Sequence, residues 1–190
     1  MIAGLLLAAG GARRFGSQKL LAQLDGQPLV RHAANVLIST TDRVTVVVGN
    51  DARQVQSTLN DLDADVVDNA EWATGLASSL RCGIAALPVE AEAVVVALGD
   101  QPRVDAIVIR EVIARWRAGG RAIVATRYAG VQGHPVLFDR AVFDELLALE
   151  GDRGAKSVIE RIPERVEYVD VHVPAPRDVD TPDDLAALGG

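Results

Sequence analysis

The chain has 190 residues, of which 49% are hydrophobic and 24% are charged, and its formal net charge is −7. These proportions exclude a disordered chain, and the length predicts a single domain over residues 1–190 that buries roughly 70% of its unfolded surface. The acidic balance offers nucleic acid no general electrostatic attraction, so we expect no nucleic-acid partner. Any polyanionic ligand must be met by local positive charge.

The sequence carries no recognisable signal for export or membrane insertion. A single cysteine, Cys82, excludes an internal disulfide and suits a reducing compartment. The apolar start lacks the basic residues that begin an export signal, and its glycines and arginines arrive before the roughly 20 apolar residues of a membrane span. We therefore expect a cytoplasmic protein with no membrane contact.

The first predicted element is a strand that ends in a glycine-rich loop. The apolar run from Ile2 to Leu7 is typical of a buried parallel strand, and Gly10 and Gly11 follow closely. Open α/β sheets bind their ligands at this end of the strands. We expect Gly10 and Gly11 to take a positive φ that turns their N–H groups toward an anion.

Two cations near this loop indicate phosphate. Arg14 and Lys19 add positive charge to an acidic chain, and guanidinium and ammonium groups bind phosphate well. A nucleoside triphosphate fits this composition. The alternative is an ordinary glycine turn followed by two solvated cations.

The loop matches neither of two common phosphate motifs, G-x-G-x-x-G and G-x-x-x-x-G-K-[ST]. It resembles L-A-A-G-x-x-x-R-x-G-x-x-K, the signature of the molybdenum cofactor cytidylyltransferase family of nucleotidyltransferases. The matching residues are Leu7, Ala8, Ala9, Gly10, Arg14, Gly16 and Lys19. The chain departs from the family at Ala12 and Phe15, where serine and methionine are common.

Strand and helix patterns alternate along the rest of the chain. Dense β-branched runs predict strands at residues 43–49, 65–68, 93–98, 121–126 and 167–171. Helical spacing predicts helices at residues 27–38, 50–62, 104–118, 139–150 and 157–161, one that ends near residue 87, and one that begins at residue 181. We expect Asn50 and Asp51 to cap the second of these helices.

The order of these elements predicts a three-layer α/β sandwich with a mostly parallel sheet. The strand at residues 43–49 should lie beside the first strand. The short turn before Val136 leaves no room for a crossover helix, so the strand that ends at Phe138 should be the one antiparallel strand. The family resemblance implies a Rossmann-like nucleotidyltransferase fold.

The polar loop after the third strand is a candidate part of the nucleotide site. The family has Asn or Asp after this strand, then Gly and Ser at the start of the next helix, which implies nucleotide contacts from Asn69, Gly75 and either Ser78 or Ser79. Helix capping by either serine is an equal alternative. We interpret Trp72 and Cys82 as packing residues.

Asp100 is the first candidate metal ligand, because it follows a buried strand and is held between a glycine and a nearby proline. Mg²⁺ takes carboxylate, phosphate and water oxygens. An aspartate at a strand end is more often a turn residue, and only its partnership with the first loop favours a metal.

The family's D-x-D-T-P pattern implies a second metal contact, from Asp180. Thr181 and the proline after it are typical of a helix start, in which Asp183 and Asp184 favour the positive end of the helix dipole. These two aspartates are therefore accounted for structurally.

Two further family patterns imply the second-substrate side. Gly133, His134 and Pro135 match G-H-P, and Asp152 lies in a G-D-x-G-A pattern. The alternative for His134 is a hydrogen-bonded structural histidine, since no second His or Cys lies at metal-ligand spacing.

The resemblance implies Mg²⁺-dependent transfer of CMP from CTP to the terminal phosphate of molybdopterin, with release of pyrophosphate. Arg14, Lys19 and Asp100 are the catalytic candidates, and the amides of Gly10 and Gly11 would help to neutralise the pyrophosphate. Related guanylyltransferases have glycine where this chain has Ala9, which favours CTP. The product would pass to a molybdenum hydroxylase or its maturation chaperone.

Other functions stay open at this point. A related transferase would use GTP, or a sugar phosphate or phospholactate as acceptor. A cofactor-delivery chaperone would bind nucleotide without releasing pyrophosphate.

Overall fold

The structure is a computed structural model that describes residues 1–11 and 15–189. The predicted phosphate ligand Arg14 and the departing residue Ala12 lie outside the described residues. Within them, seven strands form the main sheet: β1 (Ile2–Ala8), β2 (Arg43–Val48), β3 (Asp65–Asp68), β4 (Ala93–Leu98), β5 (Ile123–Tyr128), β6 (Val131–Asp139) and β7 (Val166–Val171). The α-helices are α1 (Leu29–Ile38), α2 (Ala52–Ser57), α3 (Leu76–Ala85), α4 (Ala106–Arg117), α5 (Phe143–Leu147), α6 (Ala155–Arg161) and α7 (Pro182–Leu188).

The strands lie in the order β3-β2-β1-β4-β6-β5-β7. Strand β1 pairs in parallel with β2 and β4, β2 pairs in parallel with β3, and β5 with β7. Strand β6 runs antiparallel to both neighbours, β4 and β5. The predicted mostly parallel sheet with one antiparallel strand is confirmed, as is the position of β2 beside β1.

A tight hairpin explains the reversal at β6. Ala129 and Gly130 join β5 to β6 with φ of 47° and 85°. A two-residue turn with positive φ at both positions matches the twist of an antiparallel strand pair. The chain therefore reverses without a crossover helix.

Apolar side chains cover both faces of the sheet. Every residue of β1 is buried, as expected for a central parallel strand. Because side chains alternate between faces, Leu5 and Leu7 join a core under α3, α5 and α6, whereas Leu6 and Ala8 join a core under α1, α2 and α4. The three-layer arrangement is confirmed.

The predicted cap of α2 is wrong. Asp51 occupies the N-cap position in a left-handed conformation, with φ of 52°, and its side chain makes no capping hydrogen bond. Its Oδ2 instead accepts a hydrogen bond of 2.9 Å from Asn50 Nδ2. The helix is also shorter than predicted, because after Ser57 the backbone continues as single turns such as that from Leu59 N–H to the Gln56 carbonyl.

The predicted helix at residues 139–150 is divided. Asp139 caps a 3-10 turn, Arg140–Val142, by accepting a hydrogen bond of 2.8 Å from Ala141 N–H, and α5 follows. Among the described residues, no helix is both long enough and apolar enough to cross a bilayer.

Candidate active site

The carboxyl ends of β1, β2 and β4 open onto one large cavity. The chain leaves β1 toward β2 on one side and later returns to β4 on the other, so this edge is the switch point where such sheets bind ligands. The cavity, called the first cavity below, has a volume of about 760 Å³. It is lined by Leu7, Ala9, Gly10, Gly11, Gly16, Ser17, Gln18, Asn50, Asp51, Trp72, Ala73, Gly75, Leu76, Ser79, Leu98, Asp100 and Asp152.

The glycines of the first loop differ from expectation. Neither Gly10 nor Gly11 has a positive φ, whereas Gly16 does, at 80°. A Cβ on Gly11 would approach the Trp72 ring at 3.1 Å, but a Cβ on Gly10 would meet nothing within 4 Å. The fold itself therefore does not require glycine at position 10, and the open space beside it belongs to the first cavity.

Three charged residues meet beside this cavity and are called the charge cluster below: Lys19, Asp100 and Asp180. Lys19 Nζ lies 2.7 Å from Asp100 Oδ2 and 2.8 Å from Asp180 Oδ1. The lysine side chain is 10% exposed, and the carboxylates are 25% and 35% exposed. The structure thus brings together three predicted residues from the beginning, the middle and the end of the chain.

The lysine is charged in this environment. Burial lowers the pKa of Lys19, but the charges and hydrogen bonds of Asp100 and Asp180 outweigh burial and raise the pKa above its ordinary value of 10.5. The ammonium group is therefore present throughout the neutral range. Its contribution to stability is lost only when the pH rises through the raised pKa.

Contacts between the two chain ends hold the charge cluster together. Val179 is fully buried, and its N–H donates a 2.9 Å hydrogen bond to the Asp100 carbonyl. Phe15, from the first loop, packs in the same apolar cluster as Val179. On the first-loop side, Gln18 Nε2 donates a 2.9 Å hydrogen bond to the Asn50 carbonyl. These contacts bring Lys19 and Asp180 together beside Asp100.

The start of α7 adds to this positioning. Thr181 accepts a hydrogen bond from Asp184 N–H at 3.2 Å, and Asp184 Oδ2 accepts bonds from the N–H groups of Thr181 and Asp180 at 2.8 and 3.1 Å. The predicted cap is confirmed as a capping box. Asp180 is held directly before it.

The two carboxylates suit a divalent cation. They converge on one positive group, and the cluster keeps a net negative charge even with the lysine present. Within residues 1–11 and 15–189, no group of three or more His, Cys, Asp or Glu side chains is placed to hold a metal ion. A cation here would therefore complete its shell with phosphate and water oxygens, as Mg²⁺ commonly does.

The serines at the start of α3 do not cap it, so that alternative is wrong. The N-cap is Gly75, without a side-chain capping bond, and Ser78 Oγ donates to the Gly75 and Glu71 carbonyls at 2.8 and 3.0 Å. Asn69 Nδ2 donates to Ser78 Oγ and Ser79 Oγ at 2.9 and 3.0 Å. Asn69 braces the loop from a buried position, while Ser79 and Gly75 line the first cavity.

Gly75 is required by the fold. Its φ is 121°, and a Cβ there would overlap the Gly151 carbonyl and the Asp152 carboxylate. Ala77 N–H donates a 3.1 Å hydrogen bond to that same carbonyl. This close approach brings Asp152 to the wall of the first cavity, whereas Gly133 and His134 line another cavity, and the second-substrate role of these residues stays a prediction.

His134 and Gly133 line a second, smaller cavity of about 80 Å³, while Pro135 is buried. His134 Nδ1 lies 3.4 Å from the Val96 carbonyl, and Tyr128 Oη donates a 2.9 Å bond to the His134 carbonyl. Burial lowers the pKa of His134, against the opposing effects of the Val96 hydrogen bond and the charges of Asp100 and Asp178. The histidine is a fixed, neutral side chain near the charge cluster.

Comparison with known proteins identifies the family. Residues 4–166 match the model of the MobA-like NTP transferase domain. The chain belongs to this family. The resemblance inferred from the sequence motifs is thereby confirmed at the level of the MobA-like nucleotidyltransferases.

Two relatives match the MobA-like domain over nearly its whole length. Nicotine blue oxidoreductase of Paenarthrobacter nicotinovorans is 29% identical over 198 residues, which cover 98% of this chain and 96% of that protein. The crystal structure of Rv0371c from Mycobacterium tuberculosis H37Rv is 33% identical, with a TM-score of 0.86 and coverage of 98% and 97% of the two chains.

A third comparison bears on metal binding. The complex of Rv0371c with manganese is 32% identical to this chain, with a TM-score of 0.85 and coverage of 99% and 97%. A member of the family therefore binds a divalent metal.

Sequence reasoning missed several residues that line the first cavity of this MobA-like domain. Trp72 packs against the core, as interpreted, but it also forms part of the cavity wall. Gln18 and Asn50 were not assigned to the site, although both contribute to it. The available signal for Asn50 was its place after β2, at the same edge of the sheet as Gly10 and Asp100.

Proposed function

We propose that this MobA-like nucleotidyltransferase transfers CMP from CTP to the terminal phosphate of molybdopterin and releases pyrophosphate. The observation that carries the proposal is the charge cluster, in which Lys19 bridges Asp100 and Asp180 beside a cavity edged by a glycine loop. Positive charge, carboxylates and open backbone at a strand edge are the groups that position a polyphosphate.

In the proposed reaction, each group of the protein has a separate role. The backbone at Gly10 and Gly11 approaches the phosphates, and Lys19 neutralises charge that develops on the leaving pyrophosphate. Arg14 has the same predicted role and lies outside the described residues. Asp100 and Asp180 would hold Mg²⁺, which supplies charge neutralisation at the phosphate oxygens when it is bound.

The proposed attacking group needs no general base. A phosphate monoester is already ionised at neutral pH, so the protein must orient the two phosphates and exclude competing water. Holding two reactants in line supplies much of the rate in such transfers. The fixed positions of Lys19 and Asp100, each held by contacts across the chain, suit this task.

Gly10→Ala tests whether the first loop cradles the triphosphate. A Cβ there meets nothing in the free protein, so we expect the free energy of unfolding to change by less than about 0.5 kcal/mol. The methyl group would stand where the phosphates approach, and we expect at least about fivefold weaker CTP binding in calorimetric titration. Gly189→Ala, at a glycine that does not line the cavity, is the matched control; equal CTP affinity in both variants would remove Gly10 from the nucleotide site.

Ala9→Gly tests how the base is selected. Ala9 is buried at the cavity wall, where its methyl group faces Gly49. Removing the methyl group should make room for a purine and raise the ratio of kcat/KM for GTP to that for CTP by about tenfold, the usual effect of one methyl-sized change. An unchanged ratio would mean that the base is read elsewhere.

The acceptor, the partners and the location extend the proposal beyond the site. We propose a cytoplasmic single domain over residues 1–190 that hands its product to a molybdenum hydroxylase or to a maturation chaperone of such an enzyme. These partners follow from the proposed product and from no contact in the structure.

A second candidate is an oxidoreductase, because the full-length relative from Paenarthrobacter nicotinovorans is named as one. The groups gathered at the first cavity favour polyphosphate transfer instead. The ammonium group and the glycine loop can bind phosphate, and the two carboxylates can hold the metal ion that accompanies it, whereas the Cys82 thiol does not line the cavity.

The test of the proposed function is pyrophosphate release with Mg²⁺ and each of CTP, GTP, ATP and UTP, with and without molybdopterin. We expect release that requires both CTP and molybdopterin. Release with a sugar phosphate or phospholactate in place of molybdopterin would reassign the acceptor. Binding of CTP without release in any combination would favour the delivery chaperone.

A further inference from the structure

Gln101, the residue after Asp100, has an unusual environment. Its side chain is 8% exposed, and its Nε2 donates a 2.7 Å hydrogen bond to Asp178 Oδ1. Its Oε1 is buried and accepts no hydrogen bond from the part of the chain that the structure describes. Buried polar atoms are almost always paired, so such an atom calls for a donor from a ligand or from water.

The contact with Asp178 decides which way the amide of Gln101 lies. Reversing the amide would turn Oε1 toward the Asp178 carboxylate and place two acceptors against each other. The acceptor oxygen therefore stays on the side away from Asp178. Gln101 also forms part of the wall of the second cavity, together with Tyr128, His134 and Pro176.

Two other polar side chains in the wall of the second cavity, Tyr128 and His134, also have hydrogen-bond acceptors that remain unused among the described residues. Tyr128 uses its hydroxyl proton on the His134 carbonyl, at 2.9 Å. His134 Nδ1 faces the Val96 carbonyl, which can only accept, so the ring carries its proton on Nδ1 and presents a lone pair at Nε2. The wall formed by Gln101, Tyr128 and His134 thus suits a ligand edge that donates hydrogen bonds.

The size of the second cavity limits what can enter. At about 80 Å³ it has roughly a tenth of the volume of the first cavity. It admits water or the edge of a small ring, and it is too small for a nucleotide. Of the residues around the charge cluster, Gln101, which follows Asp100 in the chain, lines this cavity.

We propose that Gln101 is a specificity residue for the second substrate, and that its Oε1 accepts a hydrogen bond from the exocyclic amino group of a heterocycle in the second cavity. This inference rests on the proposed function, in which that heterocycle is the pterin of the acceptor. The same side chain links the acceptor to the charge cluster, because Asp178 begins the segment that carries Val179 and Asp180.

The test uses pterin and lumazine as probes, since lumazine has a carbonyl in place of the pterin amino group. Their dissociation constants are measured by ligand-observed NMR for the wild type, Gln101→Met and Asp178→Asn. Gln101→Met removes the acceptor oxygen at similar volume. Asp178→Asn keeps an acceptor for Gln101 Nε2, which leaves the Gln101 oxygen in place, and removes only the negative charge.

We expect the wild type to prefer pterin over lumazine by about tenfold, Gln101→Met to abolish the preference, and Asp178→Asn to retain it. No preference in the wild type, or equal effects of the two substitutions, would overturn the proposal and leave Gln101 as a structural contact. These binding results stand apart from the transfer assay. Transfer to molybdopterin with an unchanged acceptor KM in Gln101→Met would refute the role of Gln101 alone, whereas absence of transfer in the wild type would refute the proposed function.

Discussion

Asp100→Asn should lower the rate of pyrophosphate release by at least about a hundredfold, the effect expected when a charged group is lost from the reacting phosphates. The amide keeps the size of the side chain but removes the negative charge that balances Lys19 and would hold the cation. Raising the Mg²⁺ concentration should recover part of the rate, because the lost interaction includes metal affinity. Steady-state pyrophosphate release across a Mg²⁺ series measures both effects.

The matched control for this substitution is Asp183→Asn. Asp183 is an exposed aspartate in the first turn of α7, three positions after Asp180, and it does not line the first cavity. We expect normal turnover from this variant. If Asp100→Asn retained a near-normal rate at limiting Mg²⁺, Asp100 would not belong to the reacting centre.

Lys19→Met should separate two roles of the lysine that oppose each other. Without the ammonium group, Asp100 and Asp180 lose the positive charge that they share, and we expect a loss of about 1–3 kcal/mol in the free energy of unfolding, less than for a fully buried pair because the carboxylates are partly exposed. Turnover should fall at least about a hundredfold, because the positive charge beside the pyrophosphate is gone. Divalent cations should nevertheless bind the nucleotide-free variant more tightly than the wild type.

Denaturant unfolding with and without Mn²⁺ measures both the stability of the variant and its stabilisation by a divalent cation. Mn²⁺ should stabilise Lys19→Met more than it stabilises the wild type, because it replaces the missing positive charge and binds only the folded state. Lys156→Met is the matched control, since Lys156 is 73% exposed and, within the described ranges, forms an ion pair with Glu160 alone, one helical turn away. Equal Mn²⁺ stabilisation of the wild type and Lys19→Met would show that the lysine does not occupy the cation position.

The sequence predicted the site where local pattern and strand direction were sufficient. The carboxyl ends of adjacent parallel strands meet at one edge, so a glycine loop after β1 and an aspartate after β4 had to lie close together. Asp180 was different. Local pattern assigned Asp183 to a helix start, but no local feature distinguishes Asp180 from Asp178, and only the family pattern pointed to Asp180. Its position depends on burial of Val179 and on the hydrogen bond to the Asp100 carbonyl, both contacts between distant parts of the chain.

The predictions that failed also depended on the conformation of particular loops. Asp51 is a good capping residue by type, but the chain leaves β2 in a left-handed turn that points its side chain away from the helix amides. The position of Asp152 could not be predicted for a similar reason. The close approach of the Gly151 carbonyl to Gly75 brings Asp152 to the first cavity, and spacing along the chain cannot reveal such a contact.

The most direct measurement of the central claim is Mn²⁺ binding by electron paramagnetic resonance, with and without CTP, in the wild type and in Asp100→Asn. If the charge cluster holds the metal of a bound nucleotide, CTP should tighten Mn²⁺ binding to the wild type severalfold and should have little effect in Asp100→Asn. A Mn²⁺ affinity that changes neither with CTP nor with the Asp100 substitution would contradict the assignment of this cluster as the metal and nucleotide site.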